Sequence, residues 1–189
     1  MSDAGALLRF FRLAGRLKET PRAGWALRGV ADAESVADHS FRLALLAFVL
    51  APRAEAGLDR ERCVALALAH DLAECEVGDI TPYDGVSAEE KRRREAEAMR
   101  RLDALAGEAG LFDLWAEYDA AATPEARFVK ELDKLETAMQ ADEYAASGAA
   151  PADGLREFHR NAERRVTTPL LRALLDALGG GTSRGPGEG

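Results

Sequence analysis

Apolar side chains recur every three or four residues along most of this chain, the spacing that gathers them on one face of a helix. Several of the predicted helices begin at a capping signal: Ser35 and Ser87 each precede an acidic residue by three positions, and Thr123 precedes a proline. The pattern predicts an all-α, single-domain helical bundle, with helices at 4–18, 35–51, 59–76, 88–106, 110–121, 124–146, 153–163 and 169–178.

Two stretches interrupt the helical spacing, at 19–34 and 77–86. Loops of this length in a helical domain often build functional sites, and we expect these two to do so. The glycine-rich residues 179–189 are predicted to form a disordered tail, which leaves 1–178 as the folded domain.

The composition narrows the function classes. Hydrophobic residues make up 47% of the chain, enough for a core, and the scarcity of aromatic and β-branched residues favours helix over strand. The net charge of −8 argues against nucleic acid or a membrane surface as the main partner, but it allows a small anionic substrate held by local cations. No segment has the roughly 20 apolar residues that span a bilayer.

The first residues of the chain and its cysteines indicate the cellular compartment of the protein. The first residues carry an acid at Asp3 and lack the layout of a signal peptide. The two cysteines, Cys63 and Cys75, are too few for a disulfide framework and do not form a CxxC pair. We therefore expect a cytoplasmic protein.

The most informative stretch is VALALAHDLAECEVGDITPYDG, residues 64–85, in which an apolar helix ends in a cluster of polar groups. On a continuous helix, His70, Asp71 and Glu74 project within one arc of about 100°. Imidazole nitrogens and carboxylate oxygens are ligands for divalent transition metals. The end of this helix is therefore a candidate metal site.

Two other predicted helices direct polar groups toward the core. His39 lies on the apolar stripe of its helix, and Asp133 lies at the edge of the apolar face of 124–146. Each has an ordinary alternative, a core histidine satisfied by one hydrogen bond and an aspartate paired with an arginine. Together with His70 and Asp71, however, they would supply two nitrogens and at least two oxygens to one cation, which would offset the cost of burying all four.

These motifs resemble the HD-domain phosphohydrolases, and more closely the HD-domain 5'-deoxynucleotidases. The resemblance covers about residues 16–175 and rests on GRLKETPRAGWALRGV, ESVADHSFRLAL, ALAHDLAECEVGDITPYDGVSAEEK and EARFVKELDKLETAMQADEY. It implies an HD-domain bundle in which a divalent cation such as Mn, Co or Mg is held by His39, His70, Asp71 and Asp133.

The resemblance also implies how the site reacts. Glu74 is expected to be the general base that acts on a water, or a ligand of a second, weaker metal. Asp79 is expected to be the next acid of the site, and the backbone carbonyl of Ile80 would reach that second metal.

The loop PRAGW, by the same resemblance, is expected to bind the substrate. Arg22 and Trp25 would contact its phosphate and sugar, although in this chain Ala23 and Gly24 separate the two residues. Arg28 is the competing phosphate contact. Trp25 has a second interpretation as a loop anchor packed on the core.

The expected activity is hydrolysis of deoxyribonucleoside 5'-monophosphates to deoxyribonucleoside and phosphate by metal-activated water. The substrate is the small-molecule partner, and the resemblance favours a homodimer. One alternative is another HD-type hydrolase, acting on cyclic nucleotides or nucleoside triphosphates, although triphosphates would need more cations than Arg22, Arg28 and Lys18.

Two further classes are disfavoured. HD-fold proteins that bind two irons and oxidise their substrate use additional histidines, and this chain has only three. A non-catalytic dimerisation module with a structural metal would have no use for the extra acids Glu74 and Asp79.

Overall fold

The computed structural model describes residues 3–54 and 57–181, and in these ranges the regular structure is helical apart from one isolated bridge between Pro21 and Ser35. The prediction of an all-α, single-domain fold is confirmed. Short 3-10 segments at Gly15–Glu19 and Ala51–Arg53 follow the first and third helices. The α-helices are α1 (Asp3–Ala14), α2 (Ala23–Ala26), α3 (Val36–Leu50), α4 (Arg60–Ala69), α5 (Glu74–Val77), α6 (Ala88–Leu105), α7 (Leu111–Asp119), α8 (Pro124–Ser147), α9 (Ala152–Arg165) and α10 (Pro169–Gly181).

The predicted start signals act as helix caps. At the start of α3, the Ser35 hydroxyl accepts a hydrogen bond from the backbone N–H of Asp38, and the Asp38 carboxylate accepts one from the N–H of Ser35, which is a complete capping box. The side chains of Ser87 and Thr123 each accept a hydrogen bond from the N–H three residues later. These caps fix where α3, α6 and α8 begin.

The helix predicted for 59–76 is wrong in its second half. α4 ends at Ala69, and a turn over 70–73 separates it from the four-residue α5. The chain turns here because the side chains before the break pack in one core and those after it in another. Leu66 belongs to the cluster that α4 shares with α3 and α8, whereas Leu72 and Cys75 belong to a cluster with α6.

The main core cluster positions the polar residues of the candidate site. α3, α4 and α8 pack against one another through side chains such as Leu43, Leu66 and Leu132, which are fully buried. The polar groups His39 and Asp133 project from α3 and α8, and the turn that carries His70 follows α4 directly.

The helices also bear on membrane insertion and on where the folded domain ends. No helix in the described ranges is both long enough and apolar enough to cross a membrane. α10 continues to Gly181, beyond the predicted end of the last helix. Residues 182–189, the rest of the predicted tail, lie outside the described part of the chain.

Candidate metal centre

Three buried side chains from separate elements meet at one point. The Nε2 atoms of His39 and His70 lie 3.3 Å apart, and Oδ1 of Asp133 lies 3.5 Å from Nε2 of His39. One ligand atom from each residue lies within 4.8 Å of the other two. The structure therefore gathers two imidazole nitrogens and a carboxylate oxygen from α3, α8 and the turn after α4.

Asp71 completes the cluster on its more exposed side. Its Oδ2 atom lies 2.9 Å from Nε2 of His70 and 4.0 Å from Nε2 of His39, and its side chain is 23% exposed. All four residues predicted to hold the first metal thus approach one another, and Asp71 is the one whose side chain is most exposed to solvent.

Outer hydrogen bonds determine which ring nitrogens face the centre. Nδ1 of His39 lies 2.5 Å from a carboxylate oxygen of Glu136, and Nδ1 of His70 lies 2.7 Å from the carbonyl oxygen of Ala67. A carbonyl and an ionised carboxylate only accept hydrogen bonds, so each neutral ring carries its proton on Nδ1. The Nε2 lone pairs of both histidines are therefore directed at the centre, as in histidines that bind metals.

This arrangement fits a divalent cation. When both rings are neutral with their protons on Nδ1, the two Nε2 atoms and the nearest oxygens of Asp71 and Asp133 are all acceptors, an arrangement that a cation would satisfy. Two imidazole nitrogens with carboxylate oxygens form a recurrent ligand set of catalytic divalent metals. His39, His70, Asp71 and Asp133 are thus the residues that would hold the ion.

Burial and neighbouring charges shift the pKa values of the side chains at the centre. Burial lowers the pKa of His39, and the guanidinium of Arg22 adds to this effect. Burial acts in the same direction on His70, but Asp71 and Asp133 outweigh it and raise the pKa of His70. The pKa of Asp133 is lowered because nearby positive charge, that of Lys134 above all, outweighs its burial. Asp133 therefore stays ionised, which metal binding requires.

Glu74 lies close to this cluster but is not a member of it. Its side chain is buried, and burial raises its pKa well above the ordinary value, with the negative charges of Asp71 and Asp79 adding to the shift. Lys91 acts in the opposite direction. A carboxylate whose pKa is raised is a stronger base and is therefore better suited to accept a proton from water.

Asp79 and Ile80 make contacts that the sequence did not indicate. Oδ2 of Asp79 accepts a hydrogen bond from the backbone N–H of Ala23 at 2.8 Å, which ties the loop 77–86 to the loop 19–34. The carbonyl of Ile80 accepts a hydrogen bond from Nζ of Lys91, also at 2.8 Å. A second metal bound by Glu74, Asp79 and Ile80 stays a prediction.

Arg22 and Arg28, the two candidate phosphate contacts, occupy different surroundings. Nη1 of Arg22 lies 3.7 Å from Oδ2 of Asp71, so its guanidinium borders the centre. Arg28 instead forms an ion pair with Glu157 at 2.6 Å and donates to the carbonyl of Gly24. The geometry thus favours Arg22 over Arg28.

Trp25 is buried and acts as the anchor of its loop. Its side chain is 1% exposed, and its ring packs against Tyr144 and Phe158 with centroid distances of 5.2 and 4.2 Å. Its indole N–H donates to Glu34 at 2.9 Å. In this structure Trp25 has the second role that the sequence left open, that of a loop anchor packed on the core.

Three residues at the site were missed from the sequence. Glu136 supports His39, Lys134 lies 2.8 Å from Oδ2 of Asp133, and the Tyr118 hydroxyl donates to the same oxygen at 3.2 Å. Glu136 could have been found, because it lies one helical turn after the core residue Leu132 and a carboxylate there needs a partner. Tyr118 has no comparable signal, since its position depends on how α7 packs.

Comparisons with known proteins agree with this chemistry. The family model described as HD domain matches residues 14–172. A curated relative, the 5'-deoxynucleotidase HDDC2 of Bos taurus, is 44% identical over 183 residues, which cover 94% of this chain and 87% of the relative. A solved structure from Pyrococcus horikoshii OT3 has a TM-score of 0.76 and 31% identity, covering 91% of this chain and 98% of its own. That of a predicted metal-dependent phosphohydrolase from Magnetospirillum magnetotacticum MS-1 has a TM-score of 0.68 and 26% identity, covering 95% and 92%.

Proposed function

Because the chain belongs to the HD-domain family, we propose that it is a metal-dependent phosphohydrolase that releases phosphate from deoxyribonucleoside 5'-monophosphates. The observation that carries the proposal is the convergence of His39, His70 and Asp133 on one point. Asp71 lies beside His70, Arg22 lies beside Asp71, and Glu74 is close enough for the charge of Asp71 to raise its pKa. The name of the curated relative, a 5'-deoxynucleotidase, supports the choice of substrate.

The residues around the centre have separate roles in hydrolysis. A divalent cation held by His39, His70, Asp71 and Asp133 would polarise the phosphoryl group and make a water more acidic. Glu74 accepts the proton of the attacking water, and the guanidinium of Arg22 holds phosphate oxygens through paired hydrogen bonds. Asp79 and Trp25 keep the loop of Arg22 in place through the contacts described above. If a second metal binds, Glu74, Asp79 and the carbonyl of Ile80 are its proposed ligands.

The test is a phosphate-release assay with defined metal content. The purified protein is stripped with a chelator, reloaded with Mn, Co or Mg, and given deoxyribonucleoside and ribonucleoside 5'-monophosphates, cyclic nucleotides and nucleoside triphosphates. We expect deoxyribonucleoside monophosphates to be cleaved fastest. Faster cleavage of cyclic nucleotides or triphosphates would assign the protein to another HD-type hydrolase, and inactivity on the whole panel with every metal would overturn the proposal.

A matched pair of variants links the activity to the centre. Asp133→Asn removes a charge that would hold the ion, whereas Asp142→Asn changes an aspartate of the same helix that pairs with His159 at 2.7 Å. Metal content and phosphate release should both fall in the first variant and stay at the wild-type level in the second.

We further propose that the protein is a cytoplasmic homodimer. The dimer is supported by a stripe of exposed apolar side chains on α3, formed by Phe41, Leu45, Phe48 and Val49, which a second copy would cover. The cytoplasm is supported by the free, buried thiols Cys63 and Cys75, whose pKa values burial raises to about 12 and about 11. Sedimentation of wild type and Phe41→Asp tests the dimer, because the variant should be monomeric.

A further inference from the structure

A cavity of about 540 Å³ is lined in part by Asp133, which also belongs to the candidate metal centre. It is formed by α8, the end of α9 and Tyr118 of α7. Four cationic side chains line it together with the amide of Asn161, and these are Arg127, Lys130, Lys134 and Arg165. The chain as a whole carries a net charge of −8, so this local excess of cations requires a specific explanation.

The acids of the cavity are already engaged by other partners. Glu131 accepts hydrogen bonds from the backbone N–H groups of Thr167 and Thr168, each at 2.8 Å, and from the Thr167 hydroxyl at 2.7 Å. Asp133 accepts from Lys134 and from the Tyr118 hydroxyl. Neither carboxylate forms a hydrogen bond with Arg127, Lys130 or Arg165, although the charges of Asp119 and Asp133 still act on Lys130.

Three of the cations form no salt bridge with any acid in the described part of the chain. Nζ of Lys130 lies 4.2 Å from the centroid of the Tyr118 ring, and Arg127 donates to the carbonyl of Ala121 at 3.1 Å. The exposed side chain of Arg165 makes no hydrogen bond or ion pair within residues 3–54 and 57–181. These cations are therefore available to a negatively charged ligand.

We propose that this cavity binds a phosphate-bearing anion with at least two negative charges, at a site separate from the Arg22 contact. Two guanidinium groups can each pair with two phosphate oxygens, and the ammonium group of Lys130 adds charge at short range. The anion is either a free inorganic phosphate species or the phosphate chain of a nucleotide. The site does not depend on the proposed activity, since it uses none of the residues assigned to the reaction except the shared Asp133.

Calorimetric titration of the full chain with inorganic pyrophosphate tests the proposal. EDTA is present throughout, so that no metal ion carries the binding and no turnover occurs. Arg165→Ala is compared with Arg164→Ala, which removes a neighbouring exposed arginine of α9 that does not line the cavity. We expect the Kd to rise about tenfold in Arg165→Ala and to change by less than about twofold in Arg164→Ala.

Further titrations identify the source of the anion and its location. A deoxyribonucleoside triphosphate that binds more tightly than pyrophosphate would identify a nucleotide, whereas equal affinities would identify a free phosphate species. Because Arg22 is the proposed contact of the substrate phosphate, Arg22→Ala separates the two sites: Arg165→Ala should lose more pyrophosphate affinity than Arg22→Ala does. The proposal is overturned if none of these anions binds, if Arg164→Ala and Arg165→Ala have equal affinities, or if Arg22→Ala loses as much affinity as Arg165→Ala.

Discussion

The carboxylate of Glu136 lies 2.5 Å from Nδ1 of His39, and both side chains are fully buried. Asp133, three residues earlier on α8, approaches Nε2 of the same ring at 3.5 Å. One turn of α8 therefore contacts both nitrogens of the His39 ring. Glu136 binds Nδ1, and Asp133 approaches Nε2, the nitrogen directed at the metal centre. Arg42 donates to the second oxygen of Glu136 at 2.8 Å. Burial acts against ionisation of Glu136, but the hydrogen bond from His39 outweighs it together with the charges of Arg22 and Arg42, and the pKa of Glu136 is lowered.

Replacing Glu136 should weaken metal binding although it is not a ligand. Glu136→Leu removes the acceptor that fixes the His39 ring, and losses of this kind cost roughly 10–100-fold in metal affinity. Glu136→Gln keeps an acceptor oxygen and should lose less. The measurement is competition of each variant with a chromophoric chelator for Mn or Co.

Glu143→Gln is the control for Glu136, because Glu143 also pairs with Arg42 but lies on the surface. Its metal affinity should equal that of the wild type. Unchanged affinity in both Glu136 variants would show that the ring of His39 is held by packing alone.

Glu74→Gln should abolish most of the turnover and leave the metal in place. The amide cannot accept the proton of the attacking water, and general-base catalysis contributes typically 10²–10⁴-fold in rate, so kcat should fall by about that factor. The metal content, measured by mass spectrometry after gel filtration, should equal that of the wild type. Loss of metal together with turnover would instead identify Glu74 as a ligand.

Arg22→Ala should impair the binding of the phosphate more than Arg28→Ala does. The guanidinium of Arg22 borders the centre at 3.7 Å from Asp71, whereas that of Arg28 is committed to Glu157. We expect KM for a deoxyribonucleoside monophosphate to rise about 10–100-fold in the first variant, the value of a charge-assisted hydrogen bond to phosphate. KM within about threefold of wild type is expected for Arg28→Ala, and the reverse order would assign the phosphate to Arg28.

The stability of the metal-free protein should fall as the pH rises through the range set by Glu34. Burial raises the pKa of this carboxyl from 4.5 to about 7, with repulsion from Glu136 adding to the shift. The folded protein keeps a proton that the unfolded chain releases, so stability is lost between about pH 4.5 and 7. Glu34→Gln is neutral at every pH and still accepts from the indole of Trp25.

Urea unfolding of both proteins in EDTA at pH 5 and pH 8 isolates this effect. Between pH 5 and pH 8, the unfolding free energy of the wild type should fall by roughly 1–3 kcal/mol relative to that of Glu34→Gln. A difference between the two proteins that is the same at both pH values would show that Glu34 has no raised pKa in the folded state.

The sequence was most informative where a polar residue interrupted an apolar face. His39 and Asp133 were recognised because burying such groups without partners is costly, and the structure places both in one cluster. The capping signals at Ser35, Ser87 and Thr123 located the starts of three helices because the hydrogen bonds of a cap are local.

What the sequence did not indicate depends on contacts between distant elements. The break after Ala69 contains no glycine or proline, and it arises because the chain passes there from one core cluster to another. The contact of Lys91 with the carbonyl of Ile80 has no signal in the sequence, because Lys91 begins the run KRRR, a pattern typical of a solvated helix face. Such pairings become visible only when the packing of the helices is known.

The hydrogen bond from the backbone N–H of Ala23 to Asp79 couples the loops 19–34 and 77–86, which are far apart along the chain. Arg22 is the neighbour of that amide, so a shift of the loop 77–86 would move the guanidinium as well. Engineers who lengthen or shorten either loop to change substrate choice must therefore redesign both together. A chimaera that exchanges only one of them would separate the carboxylate from its amide and misplace the arginine.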